Sequence, residues 1–67
     1  MSERELARWT AARRAYRIIS IFPGSYTVDG LRKAWGVSES LLAGMGDRGF
    51  LICQDEFGKL WPWRVVC

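Results

Sequence analysis

The sequence predicts an α+β fold, three short helices followed by a β-hairpin, on three observations. Apolar residues recur at three- and four-residue spacing in three successive stretches before Gly49. Each stretch opens on a hydroxyl residue able to cap a helix: Ser2, Thr27 and Ser38. After Gly49 the helical spacing gives way to "FLIC", the polar turn "QDEFGK" and "LWPWRVV", two apolar runs around a glycine-containing loop. The chain has 67 residues, so one domain over 1–67 is expected, with a single small core hiding roughly 60% of the unfolded surface. The composition suits such a core, because 49% of residues are hydrophobic and four are Trp.

Helix one begins at the Ser2 cap, and Glu3 and Glu5 place negative charge at the positive end of its dipole. Trp9, Ala12, Tyr16 and Ile19 form the inward stripe, widened by Ala15, Ile18 and Phe22. Arg13, Arg14 and Arg17 are left on the other side. Pro23 and Gly24 end the helix, since proline cannot continue it and disfavours a helical residue before it. Thr27 caps helix two, Val28 to Trp35, with Leu31, Ala34 and Trp35 inward and Gly36 supplying the left-handed residue at its end. Ser38 caps helix three, in which Leu41, Leu42 and Met45 face the core and Gly49 marks the exit. Gly44 and Gly46 weaken that helix by up to about 1 kcal/mol each relative to alanine.

In the hairpin Pro62 cannot donate to a ladder, so the last strand is an edge strand or carries a bulge. Trp61 and Trp63 are two apart on that strand and share a face. They either pack over helix one or, where exposed, anchor a partner beside Arg64. The charged start "MSERELARW" has no signal-peptide apolar segment behind it and no apolar run approaches the ~20 residues of a membrane span. A cytoplasmic protein is expected, with Cys53 and Cys67 as reduced thiols and no membrane partner.

The chemistry open to the chain is narrow. It contains no histidine, hence no imidazole base near neutral pH, and no nucleophile visibly paired with a base. Two isolated cysteines do not make a zinc site, which takes four N or S ligands. Adjacent Asp55 and Glu56 read as a solvated loop, and the glycines match no phosphate-cradling pattern. Neither an enzyme nor a cofactor- or metal-binding protein is expected. The net charge is +3, and the arginines of helix one, Arg13, Arg14 and Arg17, lie within about a third of its circumference, extended by Arg32 and Lys33. Such a patch suits phosphates, an acidic protein surface or solvent.

The order helix, helix, turn, helix, hairpin resembles the winged helix-turn-helix superfamily, as in small proteins of phages and mobile elements. The residues that carry the resemblance are "LRKAWGVS", with Leu31 and Trp35 inside, Gly36 at the turn and Val37 after it, then Leu42 and Met45 in helix three. The resemblance implies double-stranded DNA binding and transcription regulation, with helix three in the major groove and the hairpin as a wing. The third helix departs from that chemistry. Base readout uses Arg, Lys, Asn or Gln, and here the only such residue is Arg48 at the far end, while Glu39 and Asp47 would face phosphates.

Two functions are therefore expected from different classes. The first is a DNA-binding regulator, possible as a homodimer, that holds phosphates through Arg13, Arg14, Arg17, Arg32, Lys33, Arg48, Lys59 and Arg64, with weak readout by Ser38 and Ser40. The alternative is a phage-encoded inhibitor, such as an anti-CRISPR protein, that docks on a host protein complex through Glu39, Asp47, Trp61 and Trp63.

Overall fold

A computed structural model describes residues 2–63. The element order is α1 (Glu3–Ile21), α2 (Val28–Trp35), α3 (Glu39–Ala43), a 3-10 turn (Gly46–Arg48), β1 (Ile52–Gln54) and β2 (Leu60–Pro62). Three helices thus precede a two-stranded antiparallel hairpin. The three expected caps form. Ser2, Thr27 and Ser38 each accept from the backbone N–H three residues on, at 3.2, 3.0 and 3.2 Å. Gly36 ends α2 at φ 71° and Gly49 closes the 3-10 turn at φ 85°, both in the left-handed region.

The core gathers Ala12, Ala15, Ile18 and Ile19 of α1 with Leu31, Val37, Leu41, Leu42, Met45 and Leu60. Alanines at the centre of the α1 stripe let α3 approach closely, and α1 also packs on β2. Phe50 then stacks on the flank of α1, edge-on to Trp9 at 6.1 Å and tilted on Tyr16 at 5.5 Å between centroids.

Several expectations are corrected. Ala34 and Trp35 are exposed, because α2 buries only Leu31 fully and packs mainly against α3, so its last turn overhangs the core. Phe22 is exposed as well: it is the residue at which the chain leaves α1, and its ring turns out to meet Tyr26 edge-on. Helix three is not continuous to Gly49. It stops at Ala43, and the backbone tightens into i→i+3 bonds from Met45 to Gly49, where two glycines offer little helical preference.

The hairpin pairs Ile52 with Pro62, Cys53 with Trp61 and Gln54 with Leu60. Leu51 accepts from the Trp63 N–H at 3.0 Å and Lys59 from the Asp55 N–H at 3.0 Å. Bonds therefore run through the odd-numbered pairs, and Pro62 sits where its missing N–H would point away from β1. The outer edge of β2 is closed by the turn after α1: Leu60 donates to Tyr26 O at 2.7 Å and accepts from Gly24 N at 2.9 Å. Trp61 lies against that turn at Gly24 instead of over α1, and Trp63 lies past the end of β2, half exposed at 50%. Cys53 is disulfide-bonded, which corrects the reduced thiol expected there; Cys67 and Arg64 lie outside the described residues. No helix among the described residues is long and apolar enough to cross a membrane.

Candidate nucleic-acid interface

The sequence places five arginines on α1, Arg4, Arg8, Arg13, Arg14 and Arg17, against Glu3 and Glu5. That helix alone carries a net +3, which equals the charge of the whole chain, so the rest of the sequence is balanced. All five arginines are exposed, and none of them forms an ion pair among the described residues. At 100° per residue the direction of Arg13, Arg14 and Arg17 lies roughly 170° from that of the buried Ala12, Ala15, Ile18 and Ile19. Since α3 packs on the buried side, Arg13 and Arg17 point away from α3, while Arg14 lies at the flank, on a groove it shares with Val37 and Leu41. Arg4 and Arg8 were not among the residues singled out in the sequence. The signal for them was available, because a helix longer than its core must expose its whole circumference at one end, and residues 2–8 do so.

The other cations are placed differently. Arg32 and Lys33 grip Asp29 at 2.6 and 3.0 Å, one turn back along α2. The Arg32 hydrogen bond, then that of Lys33, holds the Asp29 carboxyl below its ordinary range, and Asp29 raises the Arg32 guanidinium in return. Arg48 is half-buried. Its guanidinium donates to Gly44 O at 3.2 Å and lies 5.9 Å from the centroid of the Trp9 ring, while its Nε is buried without a partner. It ties the 3-10 turn to α3 and α1 and is not presented outward. Lys59 is half-buried on the hairpin.

On α3, Ser38 and Ser40 are exposed with their hydroxyls 3.3 Å apart, and Ser38 is committed to its cap. Glu39 and Asp47 are exposed. The structure thus brings together Arg13, Arg14 and Arg17 on one arc of α1, with Arg14 at the edge that shares a groove with α3. Among the described residues the large apolar side chains most exposed are Phe57 at the hairpin tip, 74%, and Leu6 on α1, 59%.

Asp55, expected to be a solvated loop residue, organises the hairpin. One carboxylate oxygen accepts from Phe57 N and Lys59 N, both at 2.9 Å, and the other accepts from Trp61 Nε1 at 3.0 Å. The Trp61 bond, with the two backbone donors, holds its carboxyl below the ordinary range. Among the described residues no three His, Cys, Asp or Glu cluster as metal ligands would. The chain matches no known protein family, no curated protein and no solved structure.

Proposed function

We propose that this is a small, non-enzymatic protein of the winged helix-turn-helix kind that binds double-stranded DNA through phosphates and regulates transcription. The observation that carries the reading is the unpaired arginines of α1, the helix on which the net charge of the chain is concentrated, with Arg13 and Arg17 pointing away from α3. Arg13, Arg14 and Arg17 supply forked donors that match phosphate oxygens; Arg4 and Arg8 add charge to the helix but lie on its other side, in line with the buried stripe. Arg32 and Lys33 give weaker support, since Asp29 competes for them.

The test is a titration of random-sequence duplex DNA at two salt concentrations, with the native chain and with Arg13, Arg14 and Arg17 changed to alanine. Each phosphate neutralised contributes about −0.9 to the slope of log K against log salt, so the triple variant should flatten the slope by about 2.7. Equal slopes for the two proteins would remove α1 from the interface.

A second reading is favoured by the exposed Phe57 and Trp63 of the hairpin beside the acidic α3: docking on a host protein complex. No DNA binding by the native protein at low salt is the outcome that selects it.

A further inference from the structure

A groove of about 520 Å³ runs along the first half of α1, between that helix and the turn that joins α2 to α3. Its α1 wall is Glu3, Leu6, Ala7, Thr10, Ala11 and Arg14, and its floor is Val37 and Leu41, edged by Trp35. Leu6 is 59% exposed and Trp35 43%, so apolar surface lies open on both sides. Along α1 the residues Glu3, Ala7, Thr10 and Arg14 follow alternating four- and three-residue steps, the spacing of a helix-pairing seam.

The seam reads the same from both ends. A second α1 laid antiparallel along it sets Glu3 against the partner's Arg14 and Ala7 against the partner's Thr10. The two-fold axis repeats each contact, so the charges at the two ends of the groove cancel in pairs and the small residues Ala7 and Thr10 meet at its centre. A partner of other sequence would have to supply an acid and a base at that same separation; a second copy of this chain has them built in.

We infer that the protein forms an isologous antiparallel dimer through this face of α1, with Glu3 paired to the partner's Arg14 at each end. The overlap from Glu3 to Arg14 is about 18 Å of helix. Small residues at its centre let the two axes come close, and the open edge of Trp35 is covered. Arg13 lies to the side of the seam and Arg17 beyond the overlap, so both stay outward in the dimer. The inference meets the proposed function at Arg14, which the dimer commits to the partner's Glu3, and its test contains no nucleic acid.

The experiment is sedimentation equilibrium of the full chain from about 1 µM to about 1 mM, a range that spans weak to moderate self-association. Circular dichroism on each variant reports folding. The native chain should show a monomer–dimer equilibrium. Ala7→Glu, at an exposed position, should give a folded monomer. Glu3→Arg and Arg14→Glu should each weaken the dimer by about tenfold through like charges at both ends, and the double variant should return to within about threefold of the native value. The double variant carries any loss of helix-dipole stabilisation caused by Glu3→Arg, so its recovery isolates the intermolecular pair. A native chain that is monomeric throughout, a dimer indifferent to Ala7→Glu, or a double variant as weak as the single ones would overturn the inference.

Discussion

Gly24 and Gly36 have nearly the same backbone, φ 70° and 71°, and very different surroundings. A Cβ on Gly24 would fall on the indole ring of Trp61, whereas one on Gly36 would meet nothing within 4 Å. Gly36→Ala therefore costs only left-handed strain, about 1 kcal/mol, and Gly24→Ala adds displacement of a packed ring, about 3 kcal/mol in all. Urea unfolding of the two variants should separate them, and equal losses would mean that Trp61 is not seated on that turn. Asp55 makes the second residue-scale prediction. Its folded pKa is lowered from an ordinary 3.8, so its contribution to stability is present above pH 3.8 and is lost as pH falls through the folded value. Asp55→Asn should thus melt below the native protein above about pH 5, and the gap in Tm should narrow under more acidic conditions. A gap unchanged with pH would assign the loss to shape and not to charge.

At the scale of elements, caps and stripes were legible in the sequence because they are local. Ser2, Thr27 and Ser38 need only a backbone N–H three residues away, and each finds it. Leu41, Leu42 and Met45 were legible by spacing. What the sequence did not disclose depended on neighbours distant along the chain. The exposure of Trp35 follows from α2 overhanging the core, and the seat of Trp61 on Gly24 joins segments far apart in sequence. Arg48 looked like a phosphate ligand because nothing local shows that it folds back over Trp9. The same locality predicts unequal cap losses. Thr27 caps an eight-residue helix that places Leu31 in the core, so Thr27→Ala should cost about 1 kcal/mol of global stability. Ser2 caps turns of α1 whose side chains are exposed, so Ser2→Ala should cost less than about 0.5 kcal/mol. Chemical denaturation measures both, and a reversed order would show that the first turns of α1 are part of the cooperative unit.

Across the whole molecule the two charged regions are separated by the core. Arg13 and Arg17 rest on one side of α1, and Glu39 opens α3, which packs on the buried side. An α-helix with its side chains is about 10 Å across, so Arg13 and Arg17, on the far side of α1, lie beyond a screening length of about 8 Å from α3 at physiological ionic strength. Repulsion between phosphates held at α1 and the carboxylates of α3 should then be largely screened, although the same carboxylates would weigh heavily if α3 entered a groove of the duplex. Glu39→Gln with Asp47→Asn distinguishes these geometries without altering size. With DNA on α1, the affinity for random duplex at about 0.15 M salt should change by less than about twofold. With DNA on α3, removing two carboxylates from the phosphate surface should raise it by about tenfold or more. The latter outcome, set beside an unaltered response to loss of the three arginines, would move the interface to α3 and leave the cationic strip of α1 without a role in binding.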